Sequence, residues 1–255
     1  MGDTAVEDSV VGERKAALVT GASRGIGAEV ATRFAEAGWD LTISARSREP
    51  LEQLAQLLGE KFGVRVTVAV ADMADAEQLE ALAAAHNEAF GRLDLLVLNA
   101  GMGQKGPIAE LPVRRFDKLY QVNVRSAYVL LQALLPTLRR TAELAGAAKV
   151  VAIASITGVH PEPELAAYGA TKAALISLCE TFNLEESDNG VSATTISPGY
   201  VNTDMSDWLK DKISPDEMIT VGDVATMVEA VSRLSRYAVL PGVVLTRPGT
   251  NLGRA

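Results

Sequence analysis

Short apolar runs alternate with longer segments of helical period along almost the whole chain. That alternation restricts the fold more than any single motif does. The apolar runs are Lys15–Thr20, Asp40–Ala45, Val64–Val70, Leu95–Leu98, Lys149–Ala154, Val191–Ile196 and Val243–Thr246. Between them, Ile26, Val30 and Phe34 recur at helical spacing before Gly38, and a helix is expected over Glu49–Phe62, closed by Gly63. Asp75 with Gln78 opens a helix running to Phe90, and Thr220 with Asp223 opens one running to about Arg236. A long helical region covers 114–144, with Pro136 predicted to kink or split it, and another helix covers Ala166–Glu185. Strand followed by helix, repeated about seven times, implies right-handed crossovers and a parallel sheet with helices on both faces. Continuous apolar strands fit a sheet covered on both sides. The expected fold class is therefore α/β, a single-domain Rossmann-like doubly wound parallel sheet of about seven strands. No repeat or linker divides residues 14–255, and 1–13 read as a flexible acidic tail.

Composition narrows the function classes. Of the 255 residues, 48% are apolar but only 5% aromatic, so Ala, Val, Leu and Ile must fill the core. A net charge of −8 argues against nucleic acid and anionic membrane as partners. Cys179 stands alone, which excludes an internal disulfide and fits a reducing, cytoplasmic setting. No apolar run approaches the ~18 residues of a membrane span. His86 and His160 have no second cysteine near them, so no metal site is expected. Cys179 reads as a buried core residue and His160 as a loop histidine.

In open parallel sheets, ligands bind beyond the carboxyl ends of the strands. The polar motifs of this chain fall at such ends: Gly21–Gly27, Arg46, Asp72, Asn99–Gly101, Ser155 and Pro198–Thr203. The turn Gly21-Ala-Ser-Arg-Gly-Ile-Gly27 leads from a strand into a helix. Glycines there let backbone approach a pyrophosphate, and the helix supplies free N–H groups. Tyr168 and Lys172 lie four apart, on one face of the helix after Ser155. An ammonium one turn away is expected to pull a phenol's pKa down from about 10, giving a Tyr acid/base.

Thr20-Gly-Ala-Ser-Arg-Gly-Ile-Gly27, Asn99-Ala-Gly101, Asn123, Ser155, Tyr168-x-x-x-Lys172 and Pro198-Gly199 resemble the short-chain dehydrogenase/reductase family, in order and at fitting spacing. The resemblance implies a nicotinamide cofactor, strand order 3-2-1-4-5-6-7 and hydride transfer at a C–OH/C=O carbon. It implies Tyr168 as proton donor, Lys172 as its tuner and a ligand of the nicotinamide ribose, and Ser155 as the group holding the developing alkoxide. Asn123 would support a water relaying protons to Lys172. Gly21, Ser23, Arg24, Gly25, Ile26, Gly27, Ala100, Gly101, Pro198 and Gly199 would line the cofactor, with Thr203 on its carboxamide. Asp72 would meet the adenine, or simply cap a helix, and Asn99 is mainly structural. Leu98 replaces a common Asn, and the last residues lack the family's Asp-Gly-Gly finish.

NAD-specific sites of this kind carry a carboxylate after the second strand. Here the chain reads Ser44-Ala45-Arg46-Ser47, and Arg24 is a second cation, so NADP(H) is the expected cofactor. The expected substrate is a small, mainly apolar ketone, aldehyde or alcohol, with 3-oxoacyl-thioester reduction as the alternative and a non-catalytic NADP-sensing regulator as the competing class. A homodimer or homotetramer is expected. Met205, Trp208, Leu209, Ile213 and Met218 mark 200–219 as an amphipathic lid over the substrate.

Overall fold

The computed structural model describes residues 14–209 and 211–249; the N-terminal tail reading, Lys210 of the lid and the C-terminal finish lie outside the described residues. Seven strands form one sheet: β1 (Ala16–Thr20), β2 (Asp40–Ala45), β3 (Val66–Val70), β4 (Leu95–Leu98), β5 (Ala148–Ile153), β6 (Val191–Pro198) and β7 (Gly242–Leu245). They pair in the order 3-2-1-4-5-6-7, parallel throughout. The order reverses beside β1, so β1 and β4 leave a crevice between the loops at their carboxyl ends.

Among the described residues, seven α-helices cover the sheet: α1 (Gly25–Glu36), α2 (Arg48–Phe62), α3 (Ala76–Phe90), α4 (Val113–Tyr120), α5 (Ser126–Ala145), α6 (Ala166–Glu186) and α7 (Val221–Ser232). Successive strand residues point to opposite faces. Ala17 and Val19 pack with Val30, Phe34, Leu51 and Val228, whereas Leu18 between them packs with Leu79, Leu130, Leu134 and Leu175. The central strands β1, β4 and β5 thus feed two apolar layers, the physical reason their sequences read as continuous apolar runs.

The two capping pairs are present. Asp75 accepts from the N–H groups of Glu77 and Gln78, and Thr220 forms a reciprocal box with Asp223. Two boundaries differ from expectation. Helix α5 runs through Pro136; the proline and Gln132, whose carbonyl loses its partner, are both exposed, so water can satisfy the break. The irregularity falls instead at Gln121–Arg125, a π-helical turn containing Asn123. Helix α7 ends at Ser232, not near Arg236. The carbonyls of Ser235 and Ala238 accept from the buried Lys149 ammonium at 3.0 and 3.4 Å instead of continuing a helix.

Candidate active site

The glycine turn is held by contacts that admit no side chain. Gly21 has φ +67, and a Cβ there would lie 2.8 Å from Asn99 Nδ2 and 2.9 Å from Ala100 Cα. A Cβ on Gly27 would lie 2.3 Å from the Gly21 carbonyl oxygen. Thr20 Oγ1 accepts from the Asn99 and Ala100 N–H groups, both at 3.0 Å, and donates to Val97 O. Asn99 Nδ2 donates to Thr20 O at 2.9 Å and Gly21 O at 3.2 Å. Asn99 thus clamps the end of β4 to the turn after β1. Ser23 and Ile26 are half-buried in the turn, and Ile26 packs on the α1 layer.

Helix α1 starts at Gly25, and no side chain caps it at Arg24. Its first-turn N–H groups and positive dipole therefore face the end of β1 beside a turn without Cβ atoms, which fits the pyrophosphate of a dinucleotide. Thr203 lies just above: its Cγ2 is 3.4 Å from where a Gly25 Cβ would stand. Pro198 ends β6, and Gly199 N donates to Leu245 O at 2.8 Å.

At the β2 end Arg46 is exposed, and its charge is felt at Asp72. Asp72 Oδ1 accepts from Ala74 N at 2.9 Å, and Lys118 of α4 lies 3.6 Å from Oδ2. The Ala74 N–H chiefly holds the Asp72 carboxyl below its ordinary range; burial opposes this, and Lys118 and Arg46 add to it. Asp72 therefore does cap its turn, and it also borders an open depression of about 610 Å³ with Lys118 and Gln121. Lys118 was not visible as a site residue, because nothing local signals that α4 docks beside β3. The guanidinium of Arg24, the second cation expected at the ribose, pairs with Asp204 of the β6–α7 loop at 2.8 Å.

Ser155, Tyr168 and Lys172 gather where β5 ends. Ser155 is extended, at φ −165, and its Oγ accepts from Thr157 N at 3.2 Å and Thr157 Oγ1 at 3.0 Å. The chain then turns back into α6, whose first turn carries Tyr168. Glycines let that turn lie on the helix: a Cβ on Gly158 would stand 2.8 Å from the Lys172 carbonyl carbon, and one on Gly169 2.8 Å from Thr157 O. Lys172 is buried, and its Nζ donates to Ile153 O at 2.8 Å. Gly101 leaves room beside it, since a Cβ there would be 3.5 Å from Lys172 Nζ and 3.3 Å from Asn123 Oδ1.

The electrostatics reverse one expectation. Burial pushes the Tyr168 phenol up to about 12, with the Ser155 hydrogen bond acting in the opposite direction, and burial pushes Lys172 down to about 8. Lys172 Nζ sits 5.7 Å from the Tyr168 ring centroid and bonds to Ile153, so it does not draw the phenol down in this state. Desolvation disfavours both charged forms, so it moves the two values apart, the phenol upward and the ammonium downward.

Asn123 is buried in the π-helical turn. Its Oδ1 accepts from Met102 N at 2.9 Å, while Nδ2 donates to Met102 O and Thr171 Oγ1, both at 3.0 Å. Thr171 Oγ1 in turn donates to Tyr168 O at 2.7 Å. Asn123 thus ties the strand-β4 loop to α6, and its side-chain bonds go to these groups and not to Lys172. Cys179 is buried, and that burial raises its thiol well above the ordinary value, as a core residue requires.

Three loops cover this centre. The segment after β6 includes 3-10 turns at Asp204–Leu209 and Pro215–Glu217, and a bridge between Val201 and Ile219 closes it. Met205 reaches Gly103, its Sδ 3.5 Å from where a Cβ would be. Trp208 packs edge-on against Tyr200, with centroids 5.9 Å apart. Tyr200 Oη donates to Glu162 Oε1 at 2.6 Å, and Lys105 pairs with Glu164 at 2.7 Å while lying 4.8 Å from the Trp208 ring. Sequence reasoning missed Lys105, Glu162, Glu164 and Tyr200, which come from three different loops and share no motif. His160 lies half-buried in the same β5–α6 loop.

The family described as short chain dehydrogenase matches residues 15–214. The 2-(R)-hydroxypropyl-CoM dehydrogenase of Xanthobacter autotrophicus is 32% identical over 231 residues, covering 87% of this chain and 91% of that protein. The 3-oxoacyl-acyl-carrier-protein reductase FabG of Staphylococcus aureus is 32% identical over 207 residues, covering 81% and 82%. Among solved structures, an alcohol dehydrogenase from the archaeon Thermococcus sibiricus complexed with 5-hydroxy-NADP superposes with a TM-score of 0.84 at 30% identity, over 94% of this chain and 98% of that one. The L-sorbose reductase of Gluconobacter frateurii, complexed with NADPH and L-sorbose, superposes with a TM-score of 0.82 at 27% identity, over 95% and 98%.

Proposed function

The chain belongs to the short-chain dehydrogenase family, and on that premise we propose that it interconverts an alcohol and a ketone or aldehyde with NADP(H), using Tyr168 as the acid/base. The carrying observation is the meeting of Ser155, Tyr168 and Lys172 at the end of β5, next to the uncapped start of α1. NADP(H), when bound, supplies or accepts the hydride. Tyr168 donates a proton to the carbonyl oxygen in reduction, and a phenol held protonated by burial suits that task. Ser155 donates a hydrogen bond to the same oxygen as negative charge develops. Lys172, the buried ammonium one turn on, returns the proton to Tyr168 and holds the ribose. Asn123 positions the Met102 loop against α6, and with it the floor of the site.

For the cofactor, Gly21, Ser23, Gly25, Ile26 and Gly27 hold the pyrophosphate, and Asp72 the adenine. Ala100, Gly101, Pro198, Gly199 and Thr203 line the nicotinamide side. Arg46 binds the ribose 2′-phosphate, joined by Arg24 once it leaves Asp204. NADP(H)-bound neighbours support that choice. Thioester reduction is the second reading, favoured by the likeness to the Staphylococcus aureus reductase.

Residues 14–255 are taken as one domain and 200–219 as its lid. A cytoplasmic homo-oligomer fits the lone buried cysteine and the exposed apolar side chains Val113, Tyr128 and Leu184. No helix among the described residues is long and apolar enough to cross a membrane.

Tyr168→Phe tests the mechanism. It should bind NADPH as the wild type does and lose ~10²–10⁴-fold in kcat. Retention of more than about a third of wild-type turnover, with chemistry rate-limiting, would overturn the assignment.

A further inference from the structure

The Glu162 carboxylate is only half used. Oε1 accepts from Tyr200 at 2.6 Å, but Oε2 is buried and has no hydrogen-bond partner. Buried polar atoms are almost always paired, and an unpaired carboxylate oxygen is among the costlier exceptions. Such an atom asks for a reason beyond packing. The hydrophobic layers supply none, because Glu162 belongs to neither.

Its place in the fold suggests one. Glu162 lies in the β5–α6 loop, seven residues after Ser155 and six before Tyr168. Tyr200 follows the end of β6, the strand next to β5. The two loops therefore meet above the carboxyl ends of the strands that carry the reacting groups. The substrate loop closes on them through Trp208, edge-on to Tyr200. Lys105, from the β4–α4 loop, covers Trp208 and pairs with Glu164.

The loop bearing Glu162 is also held under strain. Glu164 is the one non-glycine among the described residues with positive φ, at 66. Its carbonyl accepts from Gly106 N at 2.8 Å. Left-handed backbone at a side-chain-bearing residue persists where surroundings fix it, and such positions gather at ligand clamps. Arg247 lies near enough for its charge to act on Tyr200.

We propose that Glu162, oriented by Tyr200, is a specificity-determining residue that accepts a hydrogen bond from a hydroxyl or ammonium group of the substrate remote from its carbonyl. This rests on the oxidoreductase reading and deepens it: the substrate is apolar against Met205 and Trp208 but carries a donor at its far end. A site with a fixed acceptor gains from a substrate that satisfies it and loses when the analogue leaves it unpaired.

The probes are 4-hydroxycyclohexanone, 4-aminocyclohexanone and cyclohexanone, each with NADPH and the full chain. Wild type should favour one of the two donor-bearing ketones over cyclohexanone by at least ~10-fold in kcat/KM, and the better one tells hydroxyl from ammonium. Glu162→Gln should collapse that ratio by ~10-fold, and Tyr200→Phe, which keeps the ring against Trp208, should lower it by a smaller factor of ~3. A wild-type ratio near one, or a ratio that survives Glu162→Gln, would overturn the proposal. Should none of the ketones be reduced, the oxidoreductase reading fails, and saturation-transfer NMR on the NADPH-loaded protein then decides the subsite. Donor-dependent binding lost in Glu162→Gln supports it, and donor-independent binding overturns it.

Discussion

The two halves of the site are built by different means. Around β1 and β4, the Thr20 and Asn99 side chains bind backbone, and Gly21 and Gly27 pack at distances that leave no volume for a Cβ. Around β5 to β7, side chains from separate loops meet one another. Examples are Tyr200 on Glu162, Trp208 on Tyr200 and Lys105 on Glu164. The first arrangement recognises a constant ligand part through rigid geometry. The second is adjustable at single residues, as a substrate site must be when one fold serves many substrates.

A matched pair of glycine substitutions puts that contrast under the greatest load. In Gly27→Ala the new methyl would meet Gly21 O at 2.3 Å, Asn99 Nδ2 at 2.6 Å and the Gly21 carbonyl carbon at 2.8 Å. Overpacking against backbone costs ~1–3 kcal/mol or more, and at this site the upper end or beyond is expected. The melting temperature should fall by roughly 6–12 °C and NADPH binding should be lost. In Gly103→Ala the methyl meets only the flexible Met205 side chain, at 3.5 Å. That variant should melt within ~2 °C of wild type. Equal losses in calorimetry would erase the distinction between the halves.

His86 reads the rigid half by pH. It is buried between β2 and the end of α3, its Nδ1 2.8 Å from Thr42 Oγ1 and its Nε2 3.0 Å from Arg92 O. Burial pushes its pKa down to about 4 from 6.5. Between those values the unfolded chain takes up a proton and the native one does not. Stability from this group is therefore complete above about pH 6.5 and falls as pH drops toward 4. The loss at pH 4.5 should be about 2–3 kcal/mol. Urea melts of wild type and His86→Gln at pH 7 and 4.5 isolate it; an identical pH dependence in the two proteins would remove His86 as its source.

Arg46→Asp probes where the halves border. Wild type should prefer NADPH over NADH by roughly 30-fold in kcat/KM, since one or two solvent-facing guanidinium contacts to a phosphate are discounted by screening. The variant should lose or invert that preference, because a carboxylate there repels the 2′-phosphate and can accept from a ribose hydroxyl. Equal use of both cofactors by wild type would detach Arg46 from the cofactor.

How far each half could be read from the sequence follows from the same contrast. Gly21, Gly27 and Tyr168 with Lys172 were legible because backbone geometry or helical spacing favours a residue type at a fixed interval, while Asn99 was legible only through the resemblance. The capping pairs at Asp75 and Thr220 were legible for that reason too, whereas the strand order followed from the family resemblance. What failed depended on partners distant in the chain. Pro136 promises a break, but only its exposure shows that water can heal it. Asn123 bends its helix locally through Met102 and Thr171, which no spacing announces. The expected lowering of the Tyr168 phenol assumed a free ammonium, whereas Lys172 is turned to Ile153.

The smallest expected effect concerns the contact that joins the halves. Arg24 and Asp204 pair at 2.8 Å with side chains 74% and 60% exposed, so water screens them and their bond adds little to folding. Asp204→Asn should leave stability within ~0.5 kcal/mol of wild type. Its effect should appear in binding. Arg24 stands at the start of α1, and while it is held by Asp204 it is not available to a phosphate in the same crevice. Removing the carboxylate frees the guanidinium and deletes a negative charge from the approach. NADPH should then bind ~2–5-fold tighter at low salt, and NADH, which lacks the 2′-phosphate, by a smaller factor. Because the pair is exposed, raising ionic strength to about 1 M should shrink the gain toward nothing. Titrating both cofactors at two salt concentrations measures this. Weaker NADPH binding in the variant would mean that Asp204 assists the cofactor side, and the two halves would then be coupled in the opposite sense.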